Sequence, residues 1–103
     1  MVVDDDKAIR RILSGIVENY RLGEIVAEAE EGEEAFKKIL SVKPDIVLID
    51  LLLPGKDGVE IVREAKERAL NTYFIMISQV ETKSMVGKAY ESGIEFFIKK
   101  PIN

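Results

Sequence analysis

Asp45 to Gly58 reads DIVLIDLLLPGKDG, and the rest of the chain is arranged about it. Ile46, Val47, Leu48 and Ile49 form an unbroken apolar run rich in β-branched residues, the pattern of a strand covered on both faces of a parallel sheet. Asp50 stands where that strand ends, and the carboxyl ends of strands are where open α/β sheets place their ligands. Leu51 to Leu53, Pro54 and Gly55 turn the chain away. Asp57-Gly58-Val59-Glu60 can then open a helix, with Asp57 as its cap and Glu60 reaching back.

Working outward, Pro44 ends the connection into this strand, and Glu33 to Leu40 before it reads as a helix burying Ala35, Phe36, Ile39 and Leu40. Earlier still lie a strand at Ile25 to Ala29 and a helix whose apolar positions are Ile9, Ile12, Leu13, Ile16, Val17 and Tyr20. Arg10, Arg11 and Glu18 of that helix turn outward, and Leu22-Gly23 closes it. Met1 to Val3 form a short first strand running into Asp4-Asp5-Asp6. Downstream, Val59 to Arg68 is a third helix and Tyr73 to Ile77 a fourth strand delivering Ser78. Glu81 to Ser92 is a fourth helix stopped by Gly93. Ile94 to Ile98 is a fifth strand leading into Lys99-Lys100-Pro101.

Such alternation specifies a doubly wound α/β fold with a five-stranded parallel sheet in the order 2-1-3-4-5, flavodoxin-like, as one domain over residues 1–103. Right-handed crossovers put the first helix on one face and the other three on the opposite face. Five strands at about 4.8 Å span roughly 20 Å, more than one helix about 10 Å wide can cover. A last helix, absent from the chain, is therefore expected beyond Asn103; otherwise a partner must cover the bare face.

Composition narrows the chemistry. The chain has no cysteine and no histidine, which removes thiolate and imidazole metal sites, thiol nucleophiles and histidine-based triads. A net charge of -4 argues against direct nucleic-acid binding. No signal peptide or membrane-length apolar segment is present, so a cytoplasmic location away from the membrane is expected.

In the expected strand order the first and third strands are neighbours, which brings Asp4 and Asp5 beside Asp50. Carboxylates about 4 Å apart repel by roughly 4 kcal/mol at an effective dielectric of 20, a cost a bound cation relieves. Oxygen ligands alone favour Mg²⁺. Ser78 and Lys100 end the fourth and fifth strands on the same edge, where a hydroxyl and an ammonium can share the charge of a phosphoryl group carried on Asp50. Each residue also has a structural use: Asp6 as a helix cap, Ser78-Gln79-Val80-Glu81 as a capping box, Lys100 as a solvated lysine, Lys99 as a solvent or partner contact. Lys100 precedes proline, and a cis bond there would aim its amine. Phe96 and Phe97 fall on opposite faces of their strand.

The pieces VVDDD, PDIVLIDLLLPGKDG, IMIS and IKKP, in this order and spacing, resemble the CheY-like receiver domain of two-component response regulators over the whole chain apart from the last helix. More narrowly, MISQVE followed by GIEFFIKKPIN is similar to receivers of GlnL/YcbB-type regulators of glutamine use. The resemblance implies that Asp50 accepts a phosphoryl group, that Asp5 binds Mg²⁺ directly and that Asp4 acts through water. It implies further that the Leu52 carbonyl is a metal ligand, that Ser78 and Lys100 contact phosphoryl oxygens, and that Phe97 occupies an aromatic switch position. Gln79 stands where the family usually has a small residue, which bears on phosphoryl access and lifetime. Phe97 lacks the hydroxyl of the tyrosine found in many relatives, so a switch there works by packing alone.

The expected function is that of a phosphoacceptor rather than a turnover enzyme, with at most self-phosphorylation from a donor and self-dephosphorylation. A sensor histidine kinase would supply the phosphohistidine. A DNA-binding output domain and a homodimer through the fourth helix and fifth strand are the further partners implied. Two other readings use overlapping residues. A haloacid-dehalogenase-like phosphatase would take Asp4 and Asp6 as nucleophile and acid with Ser78 and Lys100, leaving Asp50 without a role. A receiver-shaped interaction module would never be phosphorylated.

Overall fold

The computed structural model describes residues 1–68, 70–79 and 82–101. Strands and helices alternate as β1 (Val2–Val3), α1 (Lys7–Asn19), β2 (Glu28–Ala29), α2 (Gly32–Val42), β3 (Ile46–Asp50), α3 (Gly58–Glu67), β4 (Tyr73–Ser78), α4 (Lys83–Ser92) and β5 (Phe96–Lys99). All strand pairs are parallel, and the sheet order is β2-β1-β3-β4-β5, the expected one. β2 is shorter than Ile25–Ala29 because β1 offers it only two partners, Val2 opposite Glu28 and Val3 opposite Ala29.

Local chemistry sets the helix starts. Asp6, Glu31, Asp57 and Thr82 are N-caps whose side chains accept backbone N–H groups of Ala8, Glu34, Glu60 and Met85, satisfying donors that the first turn leaves without helical partners. The cap of α4 is thus Thr82, and Ser78 lies in β4. Val80 and Glu81, the rest of the expected capping box, lie outside the described residues. α4 ends at Gly93, whose φ of 114° is one that a side chain would strain.

The sheet separates two apolar layers. On one face Val3, Val47, Ile49, Phe74 and Met76 are buried against Ala35 and Ile39 of α2, Ile61, Val62 and Ala65 of α3 and Ala89 of α4. On the other, Val2, Ile77 and Leu13 of α1 form a small cluster, with Leu48 and Ile75 half-buried beside it. β3 is therefore covered fully on one face only, and Ile46 is 48% exposed. The expectation that a single helix cannot cover this face agrees with an apolar groove of about 670 Å³ between α1 and the sheet, reaching Ile75, Ile77 and Ile98. Ile12 and Tyr20, counted into the apolar stripe of α1 from their spacing, are exposed, as is Tyr90 of α4.

Candidate functional site

β1, β3, β4 and β5 end on the same edge of the sheet and carry the polar residues to it. Asp4 follows β1, Asp50 ends β3, Ser78 ends β4 and Lys100 follows β5; all four are buried. Carboxylate oxygens of Asp4, Asp5 and Asp50 lie within 4.8 Å of one another, with Asp5 alone exposed. The Lys100 ammonium donates to Asp4 Oδ2 at 2.8 Å and to Asp50 Oδ2 at 3.2 Å. The Lys100–Pro101 peptide is cis. Leu52, in the loop after β3, donates its N–H to Asp50 Oδ1 at 3.3 Å.

The electrostatics follow from this crowding. Burial, and then the charge of Asp4, push the Asp50 carboxyl above the ordinary carboxylate range, while Lys100 and the Leu52 N–H pull back less strongly. For Lys100, burial works against the charged form. The hydrogen bond to Asp4 and the two carboxylate charges outweigh it, and the amine is held above the usual lysine value. A buried amine between two acids compensates part of their repulsion and leaves a net acidic pocket. Three hard oxygen donors with neither nitrogen nor sulfur suit Mg²⁺.

The sequence-predicted residues fall as follows. Asp4, Asp5, Asp50 and Lys100 come together directly, and Leu52 joins them through its backbone. Ser78 is fully buried at the same edge and pairs in register with Lys99, while Met76 pairs with Phe97. Ser78 and Phe97 therefore lie on one face of the sheet, on adjoining strands. Phe97 packs against the larger core and Phe96 is 55% exposed. Asp6 is given to capping: its Oδ1 accepts the Ala8 N–H at 2.8 Å.

Arg10, expected to turn outward, instead bends back. Its Nη1 donates to the Asp4 carbonyl at 2.7 Å, and its Nε lies 3.4 Å from Glu28 Oε1. It ties α1 and β2 to the turn bearing the acids. Helical spacing placed Arg10 off the apolar stripe, but a side chain of that length reaches a carbonyl its Cα does not face.

Comparison with known proteins gives this pocket its context. The model of the response regulator receiver domain matches residues 1–103. The transcriptional regulatory protein GlnL of Bacillus subtilis is 51% identical over 106 residues, covering 99% of this chain, and the chain spans about a third (32%) of that protein's length. The chemotaxis protein CheY of Listeria monocytogenes is 39% identical over 101 residues, with 98% of this chain and 84% of CheY covered. Among solved structures, the CheX-CheY-BeF3-Mg+2 complex from Borrelia burgdorferi superposes with a TM-score of 0.91 at 31% identity, over 99% of this chain and 77% of that one. With its sheet order, its acid cluster and this match along the whole chain, the protein belongs to the response regulator receiver domains, phosphoacceptor modules of two-component signalling.

Proposed function

We propose that residues 1–103 act as one receiver unit in which Asp50 takes a phosphoryl group from a phosphohistidine on a sensor histidine kinase. The observation that carries this reading is the Lys100 ammonium bridging Asp4 and Asp50 inside the three-carboxylate cluster. Asp5, Asp50 and the Leu52 carbonyl would hold Mg²⁺, with Asp4 acting through water. The bound ion would supply the positive charge that lets a carboxylate approach a phosphoryl group. An Asp50 oxygen attacks phosphorus in line, the P–N bond breaks, and its electron pair leaves with the imidazole. The Leu52 N–H keeps the Asp50 carboxylate oriented, and Lys100 can pass a hydrogen bond from Asp50 to a phosphoryl oxygen while retaining Asp4. Ser78 donates its hydroxyl to another phosphoryl oxygen.

The shared face of Ser78 and Phe97 supports a switch in which movement of Ser78 toward the phosphoryl group frees room for the Phe97 ring to turn. The surface of α4 and β5 would be remodelled. Exposed Tyr90 on α4 supplies apolar area there for a second copy. GlnL, named as a transcriptional regulator, supports a DNA-acting output domain, and so a cytoplasmic setting. No described helix is long and apolar enough to cross a membrane. Gln79, exposed beside Ser78, is placed to influence how long the acyl phosphate survives.

Intact mass after treatment with acetyl phosphate and Mg²⁺ tests the reading. One phosphoryl adduct is expected on wild type and none on Asp50→Asn. A Mg²⁺-dependent rise in melting temperature, lost in Asp5→Asn, should accompany it. An adduct that persists in Asp50→Asn overturns the assignment. Turnover of a small phosphate ester lost in Asp4→Asn but kept in Asp50→Asn would point to the phosphatase reading instead.

A further inference from the structure

The loop between β3 and α3, residues 51–57, carries Leu52 and is gripped at two glycines on two helix starts. At its far end the Gly58 N–H donates to the Leu51 carbonyl at 3.0 Å, and a Cβ on Gly58 would stand 2.5 Å from the Asp50 carbonyl oxygen. At its crown the contact comes from a different element. The N–H of Gly32, first residue of α2, donates to the Pro54 carbonyl at 3.0 Å. A Cβ on Gly32 would lie 1.8 Å from the Lys56 carbonyl oxygen, 2.6 Å from its carbon and 2.7 Å from its Cα. Every one of those atoms is backbone, so none can swing aside as the end of a side chain would. The Lys56 side chain reinforces the seat: its ammonium lies 4.6 Å from the Phe36 ring centroid on α2 and pairs with Glu64 on α3.

We infer that Gly32 is a positioning residue for phosphoryl transfer: by admitting the Lys56 peptide against the start of α2, it sets where Leu52 stands relative to Asp50. The inference rests on the roles proposed above for Asp50 and Leu52. Gly32 touches neither carboxylate nor phosphoryl group; it acts through the loop. Its absent side chain serves the site because the loop can close down on α2 only over a bare Cα. An added methyl forces the Lys56 oxygen to retreat by more than an ångström. That strain passes along a short loop to the Leu52 N–H that holds Asp50 Oδ1 and to the carbonyl proposed for the metal. Displacement of reacting groups by about 1 Å costs roughly 100-fold in rate.

The test compares Gly32→Ala with Gly87→Ala, a helical glycine of α4 whose added methyl meets nothing within 4 Å. Two measurements are made on each. In metal-free buffer with chelator, the amide resonances of Leu52 and Gly58 should move in Gly32→Ala, while those of Phe74 and Met76 in β4 stay put. In the acetyl phosphate reaction, Gly32→Ala should raise the Mg²⁺ concentration for half-maximal rate at least tenfold and lower the rate at saturating Mg²⁺, with Gly87→Ala matching wild type. A folded Gly32→Ala with an unmoved Leu52 amide and wild-type Mg²⁺ dependence overturns the inference. Should Gly32→Ala not fold, Lys56→Met loosens the same seat without a clash. It should shift the Leu52 amide and raise the half-maximal Mg²⁺ concentration a few-fold, and no change in either overturns the inference equally. Failure of wild type to take an adduct sinks the functional reading alone, since the metal-free amide shifts still decide whether Gly32 positions the loop.

Discussion

The two faces of the sheet are filled to different degrees. Beneath α2, α3 and α4, the side chains of Val47, Ile49, Phe74 and Met76 are fully buried; beneath α1, Leu48 and Ile75 are half-buried, and Ile46, Phe96 and Ile98 are exposed. The strands alternate strictly, so each contributes equally to both faces. What differs is the number of helices laid over each. On the α1 side, among the described apolar residues, only Val2, Ile77 and Leu13 are buried, and the apolar groove opens beyond them. The polar edge straddles both, with Asp50 ending the parity that faces α1 and Ser78 the parity that faces the larger core.

The sharpest way to break this contrast is to truncate one side chain on each face. Phe74→Ala is expected to lose about 3–5 kcal/mol in denaturant unfolding, as deletions in close-packed cores do. Lys100→Met comes next, costing about 3 kcal/mol because it strands Asp4 and Asp50 without their shared ammonium. With the folded-state value of Lys100 raised, its contribution is whole below the ordinary lysine range and is lost as pH rises through that higher value. A melting curve of Lys100→Met matching wild type would mean the bridge is worth nothing to the fold.

A smaller effect is expected from Asp50→Asn in chelator, and in the opposite direction. The folded protein holds the Asp50 proton more tightly than the unfolded chain does. Wild-type stability should therefore decline as pH climbs from about 4 to the raised Asp50 value, and level off above it. Asp50→Asn lacks that decline and should be the more stable protein at neutral pH, as urea midpoints across the range would register. An identical pH dependence in the two proteins would show that the acid pocket stores no strain. Smallest of all, Ile98→Ala on the open face should cost under about 1 kcal/mol. A loss equal to that of Phe74→Ala would erase the distinction between the faces.

The sequence made the fold legible because its signals were local and mutually consistent. β-branched runs gave β3 and β4, helical periodicity gave α2 and α3, and alternation left one economical strand order. The acid cluster was legible for the same reason: once β1 and β3 are neighbours, Asp4 and Asp50 must meet. What could not be read were contacts set by the third dimension. The spacing of Arg10 said outward, and its reach to the Asp4 carbonyl depends on how α1 sits over β1. The need for glycine at position 32 arises from a peptide at position 56, which no local pattern announces. The start of α4 was read from a capping box beginning at Ser78, but the cap is Thr82, and Ser78 ends β4 as the strand reading had it.

The bridge from Lys100 to Asp4 joins residues 96 apart in the chain. On a ribosome, the aspartates at positions 4 and 50 therefore emerge before the amine that bridges them in the folded protein. The internal pairing of these two like charges thus waits on the docking of β5, a contact across nearly the whole described chain.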